Sequence, residues 1–267
     1  MDQGGDIMQL DDRVALVTGA GSGIGRASAL MMAREGAKIA ALGRSEDDLK
    51  ETVTRIEEEG GEAMVVVADI SDAEEMEAAV RRVCDRWGRI DIVFANAGIN
   101  GVWAPIEDLT PEEWGKTIHI NLTGTFHTVK YAVPYLKRHG GSVIVTSSVN
   151  GNRIFSNTGA TAYATSKAGQ VAFTKMVALE LAPFRVRVNV ICPGAITTPI
   201  HGNTERRDLE KVKVPVEFPE GEMPLTDGKM GSAEQVARLV LFLASDASDH
   251  ITGTEIYIDG AEPLLKG

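Results

Sequence analysis

The sequence predicts an α/β fold: a doubly wound parallel sheet of about seven strands with helices on both faces. Short runs rich in Val and Ile alternate with longer helical patterns from residue 13 to about residue 192. The runs are nearly continuously apolar, which is how strands buried on both faces read. Strand–helix alternation of this kind builds right-handed βαβ units.

Taken in order, the strand candidates are residues 14–18, 39–42, 63–68, 92–95, 142–147 and 186–191, with a last one at 255–258. A helix over 24–34 follows the first strand. A helix over 46–59 begins after Ser45, an N-cap residue type, with Glu46, Asp47 and Asp48 in its first turn, where carboxylates face the helix dipole. Residues 73–87 begin a helix after Ser71 and Asp72, and residues 111–138 one after Thr110, with Pro111 suited to the first helical position. Helices over 163–181 and 233–244 complete the set. No repeat, low-complexity tract or linker marks a boundary, so residues 11–267 read as one domain behind a flexible tail at 1–10. Residues 199–231 break the rhythm with Pro199, Pro215, Pro219 and Pro224, several glycines and mixed charge. A loop this long in a compact domain reads as a lid, with a surface excursion as the alternative.

Composition agrees with one globular domain: 267 residues at 43% hydrophobic supply one sizeable core. A net charge of −11 and a pI of about 5.0 argue against a broad nucleic-acid or anionic-membrane footprint. No apolar run is long enough to span a bilayer. Residues 1–12 are polar and acidic, unlike a secretory signal, so a cytoplasmic location is expected. Cys84 and Cys192 are far apart and form no CxxC, so neither a disulfide nor a metal site is signalled. Cys192 reads as a small core residue. Arg206 and Arg207, offset by Glu205, Asp208 and Glu210, read as a solvated segment.

The first βα junction carries Thr18-Gly19-Ala20-Gly21-Ser22-Gly23-Ile24-Gly25. A glycine-rich turn there lets backbone approach a pyrophosphate, and the helix N-terminus offers N–H groups and a favourable dipole. The run fits T-G-x-x-x-G-x-G rather than G-x-G-x-x-G. Further motifs follow in order: Asp69 ends the third strand, Asn96-Ala97-Gly98 follows the fourth, and Asn121 sits in the long helix. Ser148 ends the fifth strand, Tyr163-x-x-x-Lys167 opens the next helix, and Pro193-Gly194-Ala195-Ile196-Thr197-Thr198 ends the sixth strand.

In this order the motifs make the chain, from about residue 11 to about residue 262, resemble a short, single-domain member of the short-chain dehydrogenase/reductase family. The resemblance implies a hydride transfer between a nicotinamide dinucleotide and a carbonyl or alcohol of a small molecule. It implies that Gly19, Ser22, Gly23, Ile24 and Gly25 line the pyrophosphate. Asp69, with Ile70 beside it, would bond the adenine amino group; capping of the next helix is its alternative role. Asn96, Ala97 and Gly98 would lie along the adenosine ribose. Pro193, Gly194, Ile196 and Thr198 would hold the nicotinamide carboxamide. A homotetramer built from helix pairs 111–138 and 163–182 and from the last strand is also implied.

NAD sites place an acid at the end of the second strand, whereas a nearby arginine suits a 2′-phosphate. Here the residues are Gly43-Arg44-Ser45. Arg44 can pair bidentately with phosphate, so NADP(H) is favoured, with NAD(H) the alternative. Ser22 stands where many NADP-users carry a second basic residue, which weakens the preference.

Tyr163 and Lys167 are four apart in a helical pattern and share a face. A phenol titrates near pH ~10, and a nearby ammonium favours its anion. Tyr163 is therefore expected to carry the proton, with Lys167 lowering the cost of the phenolate and holding the nicotinamide ribose. Ser148 would bond the substrate oxygen, and Asn121 would hold a water linking Lys167 to solvent. Ser147 is the less fitting serine. The segment 149–162 is about two residues longer than usual for the family, the strand-end motif begins Ala95-Asn96, and Asp259-Gly260-Ala261 lacks a usual second glycine.

Asn100, Trp103, Asn150, Arg153, Phe155 and His201 flank these motifs and are the substrate-pocket expectations; an inward Arg153 would point to a carboxylate or phosphate. Alternative readings are a 3-oxoacyl-carrier-protein reductase, a sugar or polyol dehydrogenase, a steroid-type alcohol dehydrogenase, and a non-catalytic nicotinamide-binding sensor.

Overall fold

The computed structural model describes residues 8–214 and 223–266. In chain order the elements are β1 (Val14–Thr18), α1 (Gly23–Arg34), β2 (Lys38–Gly43), α2 (Glu46–Glu58), β3 (Ala63–Val67), α3 (Ala73–Trp87), β4 (Ile92–Ala95), β5 (Val102–Trp103), α4 (Pro111–Ile118), α5 (Gly124–His139), β6 (Gly141–Thr146), α6 (Thr161–Leu181), β7 (Val186–Pro193), β8 (Glu205–Arg206), α7 (Ala233–Ala244), β9 (Glu255–Ile258) and α8 (Pro263–Lys266). Seven strands form one sheet in the order β3-β2-β1-β4-β6-β7-β9, and every neighbouring pair is parallel. The order reverses direction between β1 and β4, so a crevice opens there beyond the carboxyl ends of the strands.

Alternate residues of each strand feed two separate cores, which explains the uninterrupted apolar runs. Val14 and Leu16 of β1 pack with Met76, Val80, Val129, Leu136 and Val171 on one face. Ala15 and Val17 pack with Leu30, Met32, Val53, Val236, Val240 and Leu243 on the other. A buried carboxylate ties the sheet at its amino end: Asp91 accepts from the Val14 N–H at 2.9 Å and takes a two-pronged pair from Arg89. Cys84 and Cys192 are free thiols, and burial pushes both up to about 11.

Several boundaries differ from expectation. Leu10 is buried, and its N–H donates to Glu35 O at 2.8 Å, so the tail expected over 1–10 is anchored before it ends; residues 1–7 lie outside the described residues. The helix expected over 111–138 is broken: a π-turn at His119–Thr123 separates α4 from α5. Periodicity does not reveal one extra residue in a turn. Ser45 occupies the N-cap of α2 but gives its side chain to no cap bond, whereas Thr110 and Glu113 form a reciprocal capping box on α4. The lid expected over 199–231 includes single 3-10 turns and β8, which pairs in parallel with β5; residues 215–222, with Pro215 and Pro219, lie outside the described residues.

Candidate active site

A cleft of about 550 Å³ runs along the carboxyl edge of the sheet. At one end the chain leaves β1 through Gly19, whose φ of +67° suits glycine. The Thr18 hydroxyl accepts from the Asn96 and Ala97 N–H groups at 2.9 and 3.1 Å, and Asn96 Nδ2 donates to Thr18 O at 3.1 Å. This ties the glycine turn to the loop after β4. A Cβ on Gly25 would stand 2.1 Å from the Gly19 carbonyl oxygen, so no side chain fits there. Ser22 is the N-cap of α1 and gives its side chain to none of the first-turn N–H groups. An uncapped helix start on a glycine turn, open to a cleft, is a ready anion site. Gly19, Ser22, Gly23 and Ile24 line the cleft, whereas Gly25 packs behind it.

Arg44, Asp69 and Ile70 form the next part of the wall. The Arg44 guanidinium lies 3.7 Å from Asp69, with its side chain 65% exposed. Burial pushes the Asp69 carboxyl up, but bonds from the Ser71 hydroxyl and N–H and the charges of Arg44 and His119 outweigh it and leave it low. Asp69 is therefore an anion whose Oδ1 is already occupied by Ser71; the cap of α3 is Asp72. Arg26, the other basic residue near this turn, is engaged with Glu51 at 2.7 and 3.0 Å.

At the far end β6 delivers Ser148 and α6 delivers Tyr163 and Lys167, and all three line the cleft. The Ser148 hydroxyl accepts from the Asn150 N–H at 3.2 Å and acts on the Tyr163 phenol by favouring its anion. Lys167 Nζ donates to Thr146 O at 2.9 Å and lies 5.6 Å from the Tyr163 ring. Ser147 is spent structurally, its hydroxyl donating to Lys167 O at 2.8 Å. The π-turn presents Asn121, which grips the chain after β4 through Ile99 N at 2.8 Å and Ile99 O at 2.9 Å. A Cβ on Gly98 would fall 2.9 Å from Asn121 Oδ1 and 3.7 Å from Lys167 Nζ, so these three segments converge. Asn121 itself stands behind the cleft wall.

The electrostatics differ from the sequence expectation. Burial pushes the Tyr163 phenol up, with the Ser148 bond a partial offset; no pull from Lys167 sets it. Burial lowers the Lys167 ammonium to about 8. Both shifts have the same cause: burial removes water from the charged form of each group, the phenolate of Tyr163 and the ammonium of Lys167.

Beyond Tyr163 the wall is formed by Trp103, whose ring centroid is 6.4 Å from that of Tyr163. Asn100 and Asn150 also line the cleft; Asn100 Nδ2 donates to Thr204 Oγ1 at 2.7 Å, and Asn150 Oδ1 accepts from Asn157 at 2.8 Å. Two expectations are corrected. The Arg153 guanidinium stacks 3.4 Å from the Tyr257 ring instead of facing the cleft, and Phe155 is 70% exposed outside it. The His201 side chain lies outside the described residues. Of the two arginines read as solvated, Arg207 is corrected, while Arg206 is exposed as expected and also reaches the cleft. Arg207 makes a forked pair with Glu113 at 3.0 and 2.9 Å and donates to Asp108 O. Arg206 lines the cleft, its guanidinium 5.3 Å from the Trp103 ring. The β5–β8 pairing that puts it there joins residues about a hundred positions apart, and no local pattern marks it. Ile154 and Asn157 also line the wall, and no motif in the sequence signals either.

Among the described residues no group of three or more His, Cys, Asp or Glu could hold a metal ion, and no helix is long and apolar enough to cross a membrane.

Known proteins resemble the chain over nearly its whole length. A family model described as enoyl-(acyl carrier protein) reductase matches residues 19–260. A 3-oxoacyl-[acyl-carrier-protein] reductase of Thermotoga maritima is 40% identical over 254 residues, covering 95% of this chain and 98% of the relative. Levodione reductase of Leifsonia aquatica is 37% identical, covering 94% of each. Among solved structures, a 3-ketoacyl-ACP reductase from Sinorhizobium meliloti 1021 superposes with a TM-score of 0.90 at 50% identity, covering 94% of this chain and 99% of that one.

Proposed function

The chain belongs to the short-chain dehydrogenase/reductase family, and we propose that it works there as an NADP(H)-preferring oxidoreductase of small carbonyl and secondary-alcohol compounds, with Tyr163 as its acid/base. Hydride exchange between a nicotinamide dinucleotide and a carbonyl or alcohol is the reaction class of the family. The observation that carries the residue assignment is the meeting of Ser148, Tyr163 and Lys167 on one wall of a cleft whose other end is an uncapped helix start on a glycine turn.

A nicotinamide dinucleotide held in this cleft would supply or accept the hydride. In the reducing direction the Tyr163 phenol donates its proton to the substrate oxygen while the Ser148 hydroxyl donates a hydrogen bond to the same atom. A phenol held high by burial is a proton donor at rest, which suits reduction. Lys167, lowered to about 8 and 5.6 Å from the Tyr163 ring, is the group we assign to exchange protons with the phenol and to bond the ribose hydroxyls. Asn121 holds the chain after β4 against this group. Arg44, exposed and in only a long pair with Asp69, is the cation for a 2′-phosphate.

Replacing Tyr163 with Phe is expected to cut turnover by about a thousandfold or more while NADPH still binds by fluorescence titration. Turnover retained in that variant overturns the assignment. Initial rates with NADPH and NADH at equal concentration test the cofactor preference.

A second reading, reduction of a carrier-linked 3-oxoacyl thioester, is favoured by the relatives of that name at 40% and 50% identity. Comparing acetoacetyl-carrier protein with a free acetoacetyl thioester separates it from the first. A homotetramer in the cytoplasm is part of the same proposal; Met176 and Leu179 stand 75% and 81% exposed on α6, an apolar surface suited to a partner subunit.

A further inference from the structure

We infer that the outer end of the substrate cleft is an anion subsite, in which Arg206, beside Trp103, receives a carboxylate or phosphate at the far end of a small substrate. The inference rests on the hydride-transfer reading of the cleft and adds the substrate's chemical class.

Three observations carry it. First, a second cavity of about 320 Å³ shares Trp103, Asn157 and Arg206 with the main cleft, so the substrate end continues outward past the tryptophan. Second, the spacing suits a small molecule. The Tyr163 and Trp103 rings are 6.4 Å apart, and the Arg206 guanidinium is 5.3 Å from the Trp103 ring. A compound reacting at Tyr163 can lie along the indole and reach the guanidinium with its other end.

Third, the charge of Arg206 is uncommitted. Every other arginine and lysine of this segment is tied up or lies farther out: Arg207 pairs with Glu113 and Glu205, and Lys211 with Asp208 and Asp108. Among the described residues no carboxylate pairs with Arg206, and its guanidinium lies over the Trp103 ring, 5.3 Å from the centroid. An exposed guanidinium with no carboxylate partner keeps its N–H donors for a ligand. The second cavity also carries Lys213, one acid, Glu210, and the small polar side chains Ser156 and Thr158. The backbone that places Arg206 is fixed twice over: Trp103 pairs in register with Arg206 in the β5–β8 ladder, and the next residue is clamped to Glu113.

The test measures binding, so it does not depend on turnover. Cyclohexanecarboxylate, cyclohexyl phosphate and neutral cyclohexanecarboxamide are titrated calorimetrically into the NADP⁺-saturated full chain. Both anions, or one of them, are expected to bind at least about tenfold more tightly than the amide, with the better one identifying the group. Arg206→Gln should erase that ratio and Arg206→Lys should restore part of it. Arg153→Gln, altering the arginine stacked on Tyr257 outside the cleft, should leave the ratio as in the parent. Equal or undetectable binding of anion and amide overturns the inference, as does an anion preference that survives in Arg206→Gln. Turnover of cyclohexanone and 4-oxocyclohexanecarboxylate, followed by reduced-cofactor absorbance, is read separately. Absence of any hydride transfer there counts against the oxidoreductase reading and leaves the measured anion preference intact.

Discussion

The two ends of the cleft are built by different rules. The end proposed for the dinucleotide is framed by backbone: a turn at Gly19, the start of α1, and the strand-end loops of β2, β3 and β4, each held by neighbours in the sheet. The substrate end is made of side chains on short, irregular segments that reach one another across the chain, as Trp103 does with Arg206 and Asn100 with Thr204. The first construction leaves little to vary, because backbone contacts are set by the sheet. The second places specificity on loops that can change without disturbing the core.

That contrast can be broken at its strongest point with Gly25→Ala. A Cβ there would meet the Gly19 carbonyl oxygen at 2.1 Å, so NADPH and NADH dissociation constants should both rise by roughly a hundredfold or more. Unaltered titrations would mean that the turn is not a rigid cradle. Arg44→Gln sharpens the comparison inside the dinucleotide end. It removes a side-chain contact only, so the NADPH-to-NADH ratio of kcat/KM should fall by roughly 10- to 100-fold with the NADH value little altered. A ratio that stays put removes Arg44 from the 2′-phosphate.

Lys167 separates function from stability. Its ammonium falls from 10.5 to about 8 through burial. Between those values the unfolded chain binds more protons than the folded one, so the charged lysine opposes folding below pH 8, and the penalty fades as pH rises to 10.5. Lys167→Met should therefore lose turnover and yet gain on the order of 2 kcal/mol at pH 7. The gain, measured by thermal melts at pH 7 and 10, should shrink at the higher pH; a less stable variant at pH 7 would refute this account. The smallest effect is expected at the substrate end. Arg207→Ala loosens the clamp on β8 and should raise KM by roughly two- to fivefold with cofactor affinity unchanged.

What could be read in the sequence follows the same division. The Val- and Ile-rich runs, the glycine turn and the Tyr163–Lys167 spacing each depend on residues close together in the chain, and they led to the sheet and to the wall of the cleft. Thr110 with Glu113 announces a helix start because the capping box is local. Arg153 and Arg206 show the opposite case. Both are arginines near the site in sequence, and only the tertiary partners, Tyr257 for one and Trp103 for the other, decide which lines the cleft. The proton chemistry was half legible: a lysine beside a phenol is visible in a motif, but the burial that raises one and lowers the other belongs to the folded interior.

The π-turn at His119–Thr123 carries a further consequence. It inserts one residue into an otherwise continuous helix, and each residue of a helix turns its successors by about 100°. Deleting one residue near Asn121 would let the helix close into regular α turns, leaving Val129, Ala132 and Leu136 on the sheet's hydrophobic face while re-aiming the amide that holds Ile99. The extra residue therefore belongs to the cleft and not to the core: the fold can do without it, and the grip of Asn121 on the chain after β4 cannot.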